Sequence, residues 1–582
     1  KILVKGKGER KIKLKVFVGI ALTFLVASLV FSSLPVVKSS PATIQIGVIG
    51  PKGWIQWDGL WEAAQMARDE INAKGGVLGA HPIELIDIDE HAADFRPDLG
   101  IQEAIAALDG TKASCQFFVG GFRTECVIPI REAVMDFANA TGRPIWFIAG
   151  SATDSIIDCG VGVCTKCVRC NYARYKYMFR VTPMNSTILF KQFAMFLRTY
   201  VILKKLAPMY GSYTGVTIPI TPTHPYEEKV YAPKVKTYIV AENLAWADVM
   251  VKCLVGNVTY PFLYPGVPNP YPPPPSPYSV LGPNAIIVGE KRPSATATTT
   301  DLLPIFEGAD GIDATGARLI IHIFSAIAGT NFITLYGTRQ TDAVPVGINV
   351  ESQMQEFWAA VFGKCEYESF LASVGTRTPI VPGKTDKFWD DYKAKWGHCP
   401  IYTAWGAYDS IIALNETIGA VGSWPLTCGQ LIVPIETTDR TGLLGRFCYT
   451  GAAGNRHDVY CDVFCLTSRW PITNRYVRAQ IPQWQAVIGG GEMKVCWPQD
   501  QSYSRKFRIP TWMYEWADWD LNFDGIIDIE DIYRCALAYG SVPGHERWDL
   551  ESDINTDGIV DIEDIYAIAL RYGRIAPTWP LP

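Results

Sequence analysis

TIQIGVIG (Thr43–Gly50) is the stretch from which the fold is read. It is an apolar, β-branched run ending in glycine, and a different period follows it. Leu60, Ala63, Ala64, Ala67 and Ile71 recur at helical spacing, and Gly75-Gly76 stops the helix. PIELIDI (Pro82–Ile88) then alternates as a second strand. The alternation continues through a helix over 101–108, a strand over 115–120, a helix over 127–140 and a strand over 144–149. Strands separated by helices predict an α/β fold built on a parallel sheet. Such sheets bind ligands beyond the carboxyl ends of their strands, so the loops after Ile49, Val119 and Ile148 are the ones that matter.

The chain has 582 residues, 48% of them hydrophobic, and a net charge of -5. That length and apolar content support a large buried core and exclude a disordered chain. The mild net charge gives no reason to expect nucleic acid as a partner. The charge is unevenly spread: residues 1–40 carry +7, 516–582 carry -10, and the body between them is nearly neutral. The basic start (Lys5, Lys7, Arg10, Lys11, Lys13) precedes an uncharged apolar run, Val16–Leu34. This is an export pattern, either a long signal peptide or a retained membrane anchor with its basic flank cytoplasmic. The rest of the chain is then expected outside the cytoplasm. Fifteen cysteines and the sequons at Asn139, Asn185, Asn257 and Asn415 agree with that, as disulfide and glycan sites. Cys115 with Cys126 and Cys461 with Cys465 are candidate local bridges. Cys159, Cys164, Cys167 and Cys170 suit either two disulfides or a metal. Residues 265–278 (PGVPNPYPPPPSPY) read as an extended, polyproline-like surface loop.

GVIG followed by EINAKGGVLGAHPIEL (Glu70–Leu85), FVGGFRTECVIPI (Phe118–Ile130), PIWFIAGSATDS (Pro144–Ser155), YMFRVTP (Tyr177–Pro183) and FWDDYKAKWGHCPIYTAWGAYDSI (Phe388–Ile411) resembles the type I periplasmic solute-binding proteins of the branched-chain amino-acid family of ABC transporters. The resemblance covers most of 43–500 in the family's order. It implies a two-lobed fold with a hinge: one lobe near 43–178 plus 371–430, the other near 179–370 plus 431–500. It also implies capture of a small polar solute (a branched-chain amino acid, an amide or a urea-like molecule) for an ABC permease. By matched position it places Thr124 at the solute carboxylate, Ser151 and Thr153 on the second ligand loop, and Trp246 as a closing aromatic. Asn349 or Glu351 falls where an acidic residue takes the ammonium, and Trp54 and Trp57 cover the ligand. The best-matched position is Asn349, a departure that opens the way to neutral solutes. No H-E-x-x-H, G-x-S-x-G or phosphate-binding loop occurs, and no catalytic residue is expected.

The acidic tail contains a repeat. DLNFDGIIDIEDIYRCALAYG (Asp520–Gly540) recurs as DINTDGIVDIEDIYAIALRYG (Asp553–Gly573). Oxygen-bearing residues fall at loop positions one, three, five, nine and twelve, with glycine at six. These are Asp520, Asn522, Asp524, Asp528 and Asp531, then Asp553, Asn555, Asp557, Asp561 and Asp564. The carbonyls of Ile526 and Ile559 would supply position seven. This is a Ca²⁺ pattern, and two ions are expected. The repeat resembles a dockerin, a small all-α calcium module that docks to a cohesin domain, with pairing residues Ile529-Glu530 and Ile562-Glu563 and helices over 532–539 and 565–572. The expected organisation is thus 1–40 for export or anchoring, 41–510 for solute binding and 516–582 for calcium-dependent docking. The competing reading is a surface assembly protein or sensor on the same fold.

Overall fold

The computed structural model describes residues 42–151, 153, 156–157, 166–181, 186–218, 228–255, 280–372, 374, 376–424, 427–449, 457–458, 479–498 and 503–576. The export or anchor segment, the proline-rich stretch, Asn185, Asn257, Cys159, Cys164, Cys461 and Cys465 lie outside them. Among the described residues no helix is long and apolar enough to cross a membrane.

The first sheet has five strands: β1 (Ile44–Gly50), β2 (Ile83–Asp89), β3 (Phe117–Gly120), β4 (Ile145–Ile148) and β5 (Met178–Arg180). Their order is β2-β1-β3-β4-β5, and every pairing is parallel. The inner strands β3 and β4 are apolar and buried along their whole length, as expected of a sheet covered on both faces, while the edge strand β2 carries Glu84, Asp87 and Asp89. Helix Ile55–Ala73 buries Leu60, Ala63, Ala64, Ala67 and Ile71, the residues whose spacing predicts it. Helix Thr124–Thr141 buries Val127, Ile130, Val134 and Ala138, and Gly142 ends it in the left-handed region. The strand order reverses between β1 and β3. There Gly120 has φ +110, and the position its Cβ would occupy lies 2.2 Å from the Ile49 carbonyl oxygen, so only glycine fits the crossing.

Hairpin β6 (Ser212–Ile218) and β7 (Glu228–Ala232) leads into the second sheet. That sheet holds β8 (Val235–Ala241), β9 (Ala285–Lys291), β10 (Leu319–Phe324), β11 (Val344–Asn349) and β12 (Ser369–Phe370). Their order, β9-β8-β10-β11-β12, is parallel throughout and repeats that of the first sheet. The second sheet is extended by an antiparallel pair, β15 (Ile481–Val487) and β16 (Gly490–Trp497).

Between β12 and β15 the chain returns to the first lobe. Helix Tyr402–Val421 packs along helix Ile55–Ala73, where Thr403 Oγ donates to the Gln56 carbonyl. Hairpin β13 (Asp439–Gly442) and β14 (Gly445–Cys448) is tied to that same helix by Arg440–Asp409 at 2.9 Å and Leu443 N–Asp409 at 2.9 Å. His457 and Asp458 sit against β5 through the Arg180 N–His457 O bond and the Arg180–Asp458 ion pair. Residues 431–449, with His457 and Asp458, therefore belong with the first lobe, and the described residues from 479 belong with the second. The expected second-lobe start at 431 is corrected by these contacts.

Two further expectations change. Cys115 and Cys126 are both buried and unbridged. They lie beyond opposite ends of β3, and four extended residues span roughly 13 Å, too far for a disulfide. In the tail the helices run over Ile529–Leu537 and Ile562–Ala569, three residues earlier than expected. Asp528 and Asp561 cap them, each in a capping box with Asp531 or Asp564, so the loop's last turn is already helix. Leu521, Ile527, Cys535, Ala538, Ile554, Val560 and Ile568 form a small core between the two copies.

Candidate functional site

In both sheets the strand order reverses at the first strand, and the two reversal points supply the walls of one cavity. From the first lobe come Phe122, Arg123 and Thr124, which follow β3, with Gly150, which follows β4, and Tyr402. From the second lobe come Ser325, which follows β10, and Val350, which follows β11, with Trp246, Met250, Ile348, Gln353 and Leu371. The cavity measures about 100 Å³, and its walls are mostly apolar. Trp54, Phe122 and Tyr402 meet Val350 beside it, so the lobes touch there through aromatic and aliphatic carbon.

The polar groups are few. Arg123 is 5% exposed, and its Nη2 has no hydrogen-bond partner. Its guanidinium lies 4.3 Å from the Phe95 ring centroid and 5.4 Å from that of Trp54, which fixes its plane. Ser151 is 1% exposed with an unpartnered hydroxyl, and the Gln353 side-chain oxygen is also buried without a partner. A buried donor left unpaired costs about 1–3 kcal/mol, more when charged, so these are places where an incoming polar group is favoured.

Two carboxylates lie behind the lining. Glu90, fully buried at the end of β2, accepts the backbone N–H groups of Phe122 and Arg123, each at 2.9 Å, and so sets the path of that loop. Burial pushes its carboxyl up to about 7, against the pull of those two bonds and of Arg123. In the second lobe Glu242, just after β8, accepts Ser325 N at 3.0 Å, Ser325 Oγ at 2.5 Å and the Trp246 indole N–H. Burial raises it as well, while its hydrogen bonds and the charge of Arg123 oppose the shift.

Of the residues expected from sequence, Thr124 and Trp246 line the cavity, Trp54 packs beside it, and Ser151 is the buried neighbour of the lining Gly150. The structure separates the others. Trp57 stacks on Trp61 at 5.4 Å and packs against the core instead of lining the cavity. Thr153 offers its carbonyl to Arg180. Asn349 is fully buried beneath the cavity wall and donates to Glu368 Oε1 at 2.9 Å. Glu368 also takes His322 Nε2 at 3.1 Å and Ser352 Oγ at 2.7 Å, so Asn349 belongs to a structural network. Glu351 lines a second, wider cleft of about 610 Å³ with Asp58, Glu356 and His398. Arg123 and Glu242 are absent from the expected set, although Arg123 adjoins Thr124 in FRTE and Glu242 lies four residues before Trp246.

In the tail the two loops are built alike. Asp531 Oδ1 accepts Leu521 N and Asn522 N, and Oδ2 accepts Asp528 N; Asp564 does the same with Ile554, Asn555 and Asp561. Gly525 and Gly558 have φ of 86 and 95, the turn that position six requires. Burial pushes both Asp520 and Asp553 up to about 6. Asp553 Oδ1 is buried without a partner. These oxygens fit a hard divalent cation. Among the described residues, no three His, Cys, Asp or Glu side chains converge tightly enough to hold a metal ion as they stand.

No family model and no curated protein sequence matches the chain. Solved structures do. A putative branched-chain amino acid ABC transporter protein from Silicibacter pomeroyi matches with a TM-score of 0.56 at 16% identity, over 81% of this chain and 100% of that one. The fold is that of the type I periplasmic binding proteins. A leucine-, isoleucine-, valine-, threonine- and alanine-binding protein from Brucella ovis, in its closed conformation, matches at 0.53 and 14% identity over 78% and 94%. A solute-binding protein from R. palustris, in complex with benzoate, matches at 0.50 and 12% identity over 78% and 95%.

Proposed function

We propose that this chain is an exported solute-binding protein of an ABC-type importer, and that its lobes close on a small carboxylate with an apolar body. The observation that carries the reading is the buried Arg123, whose Nε pairs with Glu125 at 3.8 Å but whose Nη2 has no hydrogen-bond partner, in a mostly apolar cavity where the two reversal points meet. A guanidinium packed against the Phe95 and Trp54 rings presents its free Nη2 N–H to a carboxylate. Met250, Ile348 and Leu371 would take the apolar part. The solutes in the two neighbours' names, aliphatic amino acids and benzoate, are carboxylates too. Glu242 replaces Asn349 as the acidic group of the second lobe. It stands behind Trp246 and Ser325, where its charge would favour an ammonium group.

We further propose that the tail binds two Ca²⁺ ions through the twelve loop positions named above and docks to a cohesin-type partner. Ile529, Tyr533 and Leu537 form an exposed stripe on one helix, and Ile562, Tyr566 and Leu570 form its match on the other. Equivalent apolar stripes on both copies favour docking over a purely stabilising role.

The test is a thermal-shift screen of the full chain against amino acids, aromatic and aliphatic acids, amides and ureas. A carboxylate should raise the melting temperature, since a ligand at a hundred times its Kd adds about 2.7 kcal/mol. At the same ligand concentration Arg123→Met should cut that gain to about 1.4 kcal/mol or less. Stabilisation by amides alone would refute the carboxylate reading, and a screen without any hit would favour the assembly protein.

A further inference from the structure

The repeat was expected as a tethered appendage, yet its loops are built into the second lobe. Glu551 lies on a one-turn helix, Leu550–Ser552, that leads directly into Asp553, the first residue of the second loop. Its carboxylate accepts the Tyr200 hydroxyl at 2.5 Å and is paired with the Lys205 ammonium. Both partners stand on the π-helical segment Leu197–Leu206 of the second lobe. Lys506 Nζ lies 3.8 Å from the same carboxylate and donates to the Glu551 carbonyl at 3.3 Å. Lys205 and Lys506 are each 1% exposed. The first loop is held too: Phe523 packs in the main core, with Lys205 Nζ 5.1 Å above its ring, and Tyr514 donates to Asp520 at 2.6 Å. The contacts are asymmetric, for the residue matching Phe523 in the second copy is Thr556.

We propose that Glu551 is a latch that couples divalent-cation binding in the second loop to the rigidity of the second lobe. Asp553 and Asp564 repel one another, and a cation between them would hold the backbone that carries Glu551. Without it that backbone loosens, the buried Lys205 loses its counter-charge and Lys506 keeps only Asp518, 3.9 Å away, a costly state in a dry interior. Glu551 is a positioning residue in this scheme and does not touch the ion. The proposal rests on the calcium reading above.

The experiment is hydrogen–deuterium exchange by mass spectrometry on the full chain, with saturating Ca²⁺ and with chelator. Chelation should speed exchange by roughly tenfold or more at 197–206 as well as at 520–564, and leave 55–73 of the first lobe unchanged. In Glu551→Gln, 197–206 should exchange fast with or without Ca²⁺, while the loops remain calcium-sensitive. If Glu551→Gln does not fold, Tyr200→Phe should reduce the calcium effect at 197–206 by about fivefold, the worth of one buried hydrogen bond. An unchanged effect in that variant would overturn the latch. A wild-type response confined to 520–564 would also overturn it and leave calcium binding standing. No response anywhere would remove the calcium reading and the latch together.

Discussion

Lowering the pH should relieve a strain in the first lobe that Glu90 imposes. Its carboxyl titrates near 4.5 in an unfolded chain and near 7 in the fold, where burial is the largest cause. Below about pH 4.5 both states hold the proton and Glu90 costs nothing. Between the two values the unfolded state releases its proton and the folded state keeps it, so stability falls as pH rises, by up to about 1.4 kcal/mol per unit. Above about pH 7 both states are ionised and the loss levels off at about 3 kcal/mol. Asp89 adds to the shift, Arg123 opposes it, and Cys126 and Tyr402 are the other titratable groups in its field. Carboxylates held low by ion pairs, such as Asp87 beside Lys52, change stability in the opposite direction on acidification. The assay is therefore a comparison: urea midpoints of wild type and Glu90→Gln from about pH 4 to about pH 8. The glutamine loses one backbone hydrogen bond at every pH, so only the difference in slope counts. Wild type should lose about 3 kcal/mol more than the variant across that range, and parallel profiles would refute the reasoning.

Glu368→Ala should destabilise the second lobe by about 3 kcal/mol or more, because it leaves His322, Asn349 and Ser352 without their shared acceptor; calorimetry of the full chain reads it. Gly120→Ala should cost at least about 1–3 kcal/mol in the same experiment, since the new methyl meets the Ile49 carbonyl and the left-handed backbone disfavours it. Arg123→Met should weaken carboxylate binding by about 10- to 100-fold in titration calorimetry, as a charge-assisted bond contributes about 1.5–3 kcal/mol.

Much of the fold was legible because local periodicity dictates it. TIQIGVIG follows the expected strand closely, and the helix after it ends as expected but begins five residues early, at Ile55, which takes Trp57 out of the loop; Thr124 and Trp246 fall on the cavity because strand ends place them there. The rest depended on contacts distant in sequence. Nothing local in FRTE says that Arg123, not Thr124 alone, is the buried polar anchor. That follows from the Glu90 carboxylate gripping two backbone N–H groups from another strand. Asn349 sits at the right strand end but turns inward, because Glu368, 19 residues on, is its partner. The return of 431–449 and of His457-Asp458 to the first lobe rests on Asp409 and β5, which no periodicity links to those residues. The tail's loops read clearly, yet their burial on the body did not, since Glu551 resembles any acidic surface residue until Lys205 and Lys506 are seen beside it.

The central claim is that the cavity at the two reversal points captures a carboxylate through Arg123. The most direct measurement is a crystal structure of the chain with a carboxylate solute identified in the thermal screen. The account predicts one carboxylate oxygen about 2.7–2.9 Å from Arg123 Nη2, with the solute's apolar part against Met250, Ile348 and Leu371. A solute bound instead in the wider cleft beside Asp58 and His398, with Arg123 Nη2 still without a hydrogen-bond partner, would contradict it.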